Sequence, residues 1–145
     1  MKNERYRAKV DKLFWWLFSI TNGVLLAILV PTSISAPSTL FVNLPILLFT
    51  DYFFISSLFG YVELRECELF IKYGFFLKRS IPYAKIRKLE KDRKFYTESI
   101  LSLKNAMEHV NIRYNSFDVT SVSVTDNSAL IAAINEKIKA NKSQN

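Results

Sequence analysis

The sequence predicts an α+β protein in which a hairpin of two transmembrane helices precedes an antiparallel β-sheet closed by a C-terminal amphipathic helix. Three observations lead to this fold class. Residues 13–60 carry a single formal charge, on Asp51, as a segment in hydrocarbon requires. Between 61 and 125, apolar side chains recur at every second position in several short segments. From 125 onward the apolar spacing becomes four residues, which is close to the period of a helix.

Two apolar stretches, 13–30 and 40–60, predict the helices of the hairpin, because each is about long enough to cross a hydrocarbon core of ~30 Å. Pro31 follows the first stretch at its end, where a proline cannot interrupt the helix. A short, uncharged segment rich in turn formers connects the two. We therefore expect residues 1–60 to form a membrane anchor and residues 61–145 to form one small cytosolic domain.

Basic residues predict the orientation in the membrane. The chain has a net charge of +7, and residues 1–12 contribute +3 through Lys2, Arg5, Arg7, Lys9 and Lys12 against two acidic residues. The connection between the two stretches has no basic residue, so the positive-inside rule places the N-terminus and the C-terminal domain in the cytoplasm. Trp15 and Trp16 lie near the basic end, where an aromatic belt contacts the headgroups. A cleaved signal peptide and a pair of buried core helices are the alternatives.

Asp51 lies near the middle of the second apolar stretch. A carboxylate at the centre of a membrane helix costs about 2.5–3.5 kcal/mol on insertion scales. One interpretation is a recognition or self-association contact within the membrane. The other is a tolerated polar residue that is protonated or close to an interface. Asn22 and Asn43 are candidate polar neighbours of Asp51 across the hairpin.

Alternating apolar residues predict about six strands, in segments 61–67, 68–75, 76–81, 86–93, 107–114 and 117–125. Gly74 permits a tight turn or bulge between two of them. The predicted inward residues are Val62, Leu64, Leu69, Ile71, Tyr73, Ile86, Leu89, Val110, Ile112, Tyr114, Val119, Val122 and Val124. In the terminal helix Leu130, Ile134 and Ile138 share one face, and Asp126 or Ser128 is the expected N-cap.

Three stretches resemble the bacterial pleckstrin-homology-like (PH-like) domains: "LFIKYGFFLKRSIPYAKIRKLE", "SILSLKNAMEHVNIRYNSF" and "VSVTDNSALIAAI". In these domains a Y-G hairpin, an I-P-Y-x-x-I step, an L-S-L segment and a V-x-I-x-Y strand recur in the same order. The resemblance covers about residues 61–139, and Val124 stands where the family often has proline. It implies a PH-like barrel, and many members carry one or two N-terminal membrane segments.

Within that group, the small membrane-anchored form is similar to the immunity proteins for sublancin and for leaderless bacteriocins. This resemblance implies self-protection of a Gram-positive bacterium, with a bacteriocin peptide or its membrane target as the partner. Two other functions stay open: a general membrane-associated scaffold or stress-sensing interaction module, and an anionic-lipid-binding domain. The implied location is the cell membrane, with two passes.

Residues for catalysis, cofactor binding or metal binding are not predicted. His109 is the sole histidine and is expected at the surface or rim of a strand. Cys67 is the sole cysteine, so an internal disulfide and a Cys-x-x-Cys zinc site are excluded. The chain has only three glycines, and none forms a phosphate-binding loop. The sequence therefore indicates a binding module without a cofactor rather than an enzyme.

Residues 78–94 form the outstanding charged stretch, with eight basic residues: Lys78, Arg79, Lys85, Arg87, Lys88, Lys91, Arg93 and Lys94. Each basic residue near an anionic membrane surface contributes roughly 1 kcal/mol, so this stretch is a candidate lipid contact. Tyr83, Phe95 and Tyr96 would add interfacial contacts. A solvated strand face followed by a loop is the other interpretation. Nothing resembles a recognition helix, so the lipid bilayer and not nucleic acid is the expected polyanion.

Overall fold

The computed structural model describes residues 4–94, 96–97, 99 and 102–143. Lys2, which contributes to the predicted orientation, and Phe95, which is predicted to be interfacial, lie outside these residues. The described elements, in chain order, are β1 (Glu4–Arg7), α1 (Lys12–Ser35), α2 (Leu40–Leu58), β2 (Tyr61–Leu64), β3 (Glu68–Lys72), β4 (Lys78–Pro82), β5 (Ile86–Arg93), β6 (Ser102–Leu103), β7 (Glu108–Tyr114), β8 (Asp118–Val122) and α3 (Asn127–Ser143).

The strands form two four-stranded sheets. The first has the order β1-β2-β3-β4 and is antiparallel throughout. The second has the order β5-β7-β8-β6, with β6 parallel to β8 and the other pairs antiparallel. The predicted α+β class is confirmed. The six predicted strands are present, and β1 and β6 are two further strands that the sequence did not indicate.

One hydrophobic core lies between the two sheets and α3. The alternating residues predicted to point inward are buried, apart from Leu89 and Val119, which are half-buried. Leu130 and Ile134 of α3 have no exposed surface and complete this core, because their four-residue spacing puts them on one helix face. Asp126 Oδ1 accepts the Ala129 N–H at 2.9 Å, which confirms Asp126 as the N-cap.

Helix α1 continues through Pro31 and ends at Ser35, five residues beyond the predicted end at Val30, so the prediction that Pro31 lies past the end of the helix is wrong. The Thr32 hydroxyl donates to the carbonyls of Ile28 and Leu29, at 3.0 and 2.9 Å. Hydroxyls of this kind satisfy backbone groups near a proline and allow a helix to continue. The second helix ends at Leu58, two residues before the predicted end.

Most of the surface of α1 and α2 is exposed, and Phe14 and Ser56 are their only buried residues. By length and composition, the segments Lys12–Ser35 and Pro37–Leu58 are able to cross a membrane. The alternative of two buried core helices is wrong, because apolar core helices would be covered by the domain. Asn43 Nδ2 joins the two helices by donating to Ser33 Oγ at 2.8 Å, whereas Asn22 donates to the Phe18 carbonyl of its own helix.

The domain has two ends, which we call the junction end and the far end. At the junction end, residues 8–11 bridge to Val124 and Asn105, beside the starts of α1 and β2. At the far end, the Tyr83 N–H donates to the Cys67 carbonyl and the Asn115 N–H donates to the Lys85 carbonyl. Strand β5 has eight residues and leads from the far end to the junction end, a distance of about 23 Å.

Candidate functional site

The junction end carries most of the features that relate the helices to the domain. Strand β1 leads directly into α1, and α2 leads through Phe59 and Gly60 directly into β2. Because β1 pairs with β2 in the same sheet, both ends of the helical hairpin are tied to one domain. The attachment therefore consists of two chain crossings without a long linker.

A single carboxylate joins α1 to the second sheet. Asp11 Oδ1 accepts the Phe14 N–H at 3.2 Å and caps the helix, while Asp11 Oδ2 accepts the Met107 N–H at 2.9 Å. On the other helix, Asn105 Nδ2 donates to the Ser57 carbonyl at 3.0 Å. Residues 105–107 thus hold the domain-proximal ends of both helices by hydrogen bonds.

The β3–β4 loop, residues 73–77, packs against the last turns of α2. Ser56 Oγ accepts the Phe75 N–H at 2.9 Å. The approach is so close that a methyl group at Gly74 would overlap the Ser56 hydroxyl, which explains the glycine. The Phe75 and Phe76 rings lie 5.8 and 6.3 Å from the Tyr52 ring, between ring centroids.

Sequence reasoning missed this aromatic contact. The sequence shows two phenylalanines at a hairpin tip. The tip lies between Lys72 and Lys78, and these two lysines face each other in the β3–β4 register. An apolar tip between basic residues is the signal that was available, since phenylalanine at the tip of a soluble hairpin has no core to fill. Its partner Tyr52 lies in the preceding helix and is not predictable from local pattern.

The eight predicted basic residues are divided between the two ends. Lys78 and Arg79 begin β4 next to the aromatic loop, and Lys91, Arg93 and Lys94 lie at the junction end of β5. Lys85, Arg87 and Lys88 lie at the far end. The basic stretch is therefore not a single face. Tyr83, predicted to be interfacial, is 1% exposed at the far end and donates its hydroxyl to the Arg65 carbonyl, so this prediction is wrong.

Several of these basic residues are already paired with carboxylates. Lys91 Nζ lies 2.9 Å from Glu108, and its hydrogen bond lowers the pKa of the Glu108 carboxyl. Lys88 and Lys94 likewise lower the pKa values of Glu90 and Asp92. Within the described part of the chain, Lys78 and Arg93 have no ion-pair partner at salt-bridge distance. Arg79 instead donates to the Tyr114 hydroxyl.

The candidate residues of the two helices lie at different positions along the hairpin. Trp15 and Trp16 lie in the first turns of α1, and more than half of each side chain is exposed. Asp51 is half-buried in α2, and its Oδ1 atom is buried without a hydrogen-bond partner among the described residues. Neither Asn22 nor Asn43 is recorded as bonded to it. Asp51 thus offers a buried acceptor that the hairpin itself does not satisfy.

Two grooves lie at opposite extremes of the molecule. One, of about 360 Å³, lies between α1 and α2 near their connection and is lined by leucines together with Ser33 and Asn43. The other, of about 440 Å³, lies at the far end and is lined by Arg87, Lys88, Arg113, Tyr114 and residues 115–119. The far-end groove has three basic lining residues against one acidic residue, Asp118, although Lys88 and Arg113 both pair with Glu90. Phe117 at its rim is 96% exposed.

His109 and Cys67 are far apart and differ in environment. His109 is 1% exposed, so the prediction of a surface position is wrong; its Nδ1 lies 2.9 Å from the Met107 carbonyl oxygen at the junction end. Cys67 is exposed at the far end. In the described ranges, no group of three or more His, Cys, Asp or Glu residues is placed to hold a metal ion.

These features define a class: a PH-like α+β domain fused to a hairpin of two apolar helices. The family model described as "Bacterial PH domain" matches residues 61–138, more than half of the chain. The chain therefore belongs to the bacterial PH domain family. PH-like domains are generally non-catalytic binding modules. No curated protein and no solved structure gave a significant match to the chain.

Proposed function

We propose that the chain is a non-enzymatic binding module anchored in the cell membrane by α1 and α2, with its N-terminus and its PH-like domain in the cytoplasm. The observation that carries the proposal is the pair of long apolar helices, exposed over most of their surface and tied at one end to the domain. The basic N-terminal segment supports the orientation. In this proposal the anchor is the hairpin of α1 and α2, and the cytosolic domain includes β1, because β1 pairs with β2 in its first sheet.

The single cysteine tests this topology directly. Cys67 is exposed at the far end, so in intact cells a membrane-impermeant maleimide should leave it unlabelled until the cells are lysed. The matched variant is Ser38→Cys in a Cys67→Ser background, because Ser38 is exposed in the connection between the helices. This variant should be labelled in intact cells. Labelling of Cys67 from outside would contradict the orientation.

The finer proposal is immunity to a membrane-active bacteriocin, with the peptide or its membrane target bound to the anchor and the inner membrane face. The resemblance to small membrane-anchored immunity proteins supports it. A second support is Asp51, because an unsatisfied carboxylate oxygen within an apolar helix favours a polar partner from another chain. That chain is either the peptide or target, or a second copy of this protein.

A survival assay tests immunity. The chain is expressed in a sensitive Gram-positive host and challenged with leaderless and glycosylated bacteriocins, against an empty vector. We expect protection from one peptide class, and loss of that protection in Asp51→Asn. The matched control is Thr50→Val, which removes a neighbouring hydroxyl that donates to the Ile46 carbonyl of its own helix. If Asp51→Asn protects as well as the unmodified chain, Asp51 has no role in recognition.

The second candidate function is a general scaffold or stress-sensing module, and the far-end groove favours it. This groove is lined by Arg87 and Lys88, at the far end of β5, a strand about 23 Å long, so we expect a cytosolic partner to reach it without contacting lipid. Its basic lining suits an acidic segment of a partner. Absence of protection from every peptide, together with a cellular phenotype that Arg87→Glu abolishes, would favour this function over immunity.

Lipid contact by basic residues is a further part of the proposal. It is restricted by position to Lys78, Lys91, Arg93 and Lys94 at the junction end, because the Arg79 guanidinium donates to the Tyr114 hydroxyl of the far-end groove. In nanodiscs, anionic lipid should raise the melting temperature of the full chain more than zwitterionic lipid does. Replacing Lys78 and Arg93 by glutamate should remove this difference, whereas the same change at Lys85 and Arg87 should not. Equal effects of the two pairs would refute a positional lipid contact.

A further inference from the structure

We propose that the tip of the β3–β4 loop, residues 75–77, inserts into the inner leaflet of the bilayer beside α2 and forms a third membrane contact. The tip consists of Phe75, Phe76 and Leu77, all of which are exposed; Phe76 is 81% exposed. Such apolar side chains at a loop tip gain free energy by leaving water for the acyl-chain boundary. This inference rests on the proposed anchoring by α1 and α2.

The position of the loop along α2 places the tip at bilayer depth. Helix α2 has 19 residues, or about 28 Å, close to the ~30 Å of a hydrocarbon core. Tyr52, against which both phenylalanine rings pack, precedes Leu58 by six residues, or about 9 Å along the helix axis. If α2 spans the core, the two phenylalanine rings of the loop therefore lie in the interfacial region or deeper in the bilayer.

Helix α1 gives an independent indication of the same depth in the bilayer. Phe14 and Phe18 of α1 contact Phe54 of α2, with ring centroids 5.7 and 5.3 Å apart. Trp15 and Trp16, in the same turn of α1, therefore lie near the level of Tyr52. Tryptophan side chains concentrate where acyl chains meet headgroups, so the loop tip completes an aromatic belt at the inner interface.

The flanks of the loop are basic, as insertion into an anionic leaflet requires. Lys72 and Lys78 face each other at the base of the loop, and Arg79 follows. The charges of Lys72 and Lys78 lie where phosphate groups would be if the phenylalanines reach the acyl chains, whereas the Arg79 guanidinium donates to the Tyr114 hydroxyl. The loop is also held firmly, because Gly74 lies against Ser56 and the Phe75 N–H is bonded to the Ser56 hydroxyl. The chemistry of this surface fits a lipid leaflet.

Spin labels on the full chain in nanodiscs of phosphatidylcholine and phosphatidylglycerol test the insertion. Each label is placed on a cysteine in the Cys67→Ser background: Phe76→Cys for the loop, Phe53→Cys for the lipid-facing side of α2, and Phe117→Cys for another exposed phenylalanine, at the far end. Accessibility to oxygen, which concentrates in lipid, is compared with accessibility to a water-soluble nickel chelate. Circular dichroism confirms that each variant is folded.

We expect the labels at 76 and 53 to be reached better by oxygen and the label at 117 to be reached better by nickel. In a Gly74→Val background, which pushes the loop off Ser56, the label at 76 should shift toward nickel. A label at 76 that behaves like the one at 117, while 53 stays in lipid, overturns the insertion and leaves the anchor intact. A label at 76 that neither reagent reaches indicates a protein contact instead and also overturns it. Nickel access at 53 refutes the anchor, and the insertion with it.

Discussion

Asp11 is the residue whose substitution most directly tests the junction between the helices and the domain. Its two carboxylate oxygens accept from opposite sides, Oδ1 from the Phe14 N–H and Oδ2 from the Met107 N–H. In Asp11→Ala both bonds are lost. In Asp11→Asn one acceptor oxygen remains, but the other becomes an NH2 group that cannot accept an N–H. The two variants therefore separate the helix cap from the bond to the domain.

The expected losses follow from the two kinds of bond. Replacing an N-cap aspartate by alanine costs ~1 kcal/mol, and a hydrogen bond to a charged group contributes about 1.5–3 kcal/mol. Because Asp11 is half-buried, we take values near the lower ends. Asp11→Ala should then cost about 2.5 kcal/mol and Asp11→Asn about 1.5 kcal/mol. A difference of 1.4 kcal/mol corresponds to a tenfold change in the opening equilibrium.

Hydrogen exchange on the full chain in nanodiscs measures these losses locally. In Asp11→Asn, the Met107 amide should exchange roughly tenfold faster while the first turn of α1 stays protected. In Asp11→Ala, both should lose protection. The matched control is Asp126→Asn, because Asp126 caps α3 without a second recorded acceptor role and asparagine caps a helix equally well. If Asp11→Asn is as silent as Asp126→Asn, the bond to Met107 does not stabilise the junction.

Three further substitutions have defined outcomes. Gly60→Ala would overlap a leucine side chain of β6 and should destabilise the domain by about 1–3 kcal/mol in thermal unfolding, whereas Gly23→Ala, with open space around it, should not. The hydrogen bond from Arg5 lowers the pKa of Glu63, so its contribution to stability is complete above the ordinary value of 4.5 and is lost as the pH falls through the folded-state pKa. Urea titrations into acid should therefore show a steeper loss for the unmodified chain than for Glu63→Gln. Ile134→Ala, at a fully buried position of α3, should cost about 2–5 kcal/mol, and a cost near zero would refute its place in the core.

The sequence predicted the local elements well because their signal is local. Apolar alternation is a property of each strand by itself, and it predicted six strands and nearly all of their buried apolar residues. Strand β1 lacks that signal, since its four residues are Glu, Arg, Tyr and Arg. It is held by a partner far along the chain: Glu4 pairs with Leu64, and Arg5 bonds to Glu63 at 2.9 Å. Pairings across an inserted helical hairpin are not visible in a local pattern.

Polar residues in the interior were the second source of error. Alternation in β7 puts Val110 and Ile112 inside and suggests that His109 and Asn111 are solvated. All four are buried. The two polar side chains tolerate burial because each has its own hydrogen-bond partner: the Met107 carbonyl for His109, and the Ser121 hydroxyl, at 2.6 Å, for Asn111. A pattern of apolar residues cannot show that both faces of a strand are covered when the polar side chains on one face find hydrogen-bond partners inside the protein.

The two-point attachment gives the proposed membrane arrangement a consequence that a single tether would not have. A domain on one flexible linker samples many orientations, so any of its faces can meet the bilayer. Here residues 8–11 and 59–60 enter the same end of the domain and are fixed there by Asn105 and by the Asp11–Met107 bond. The orientation is therefore set by the fold. Insertion of the aromatic loop and binding at the far-end groove use different residues, but the Arg79 guanidinium next to the loop donates to the Tyr114 hydroxyl of the groove, so a substitution of Arg79 should affect both.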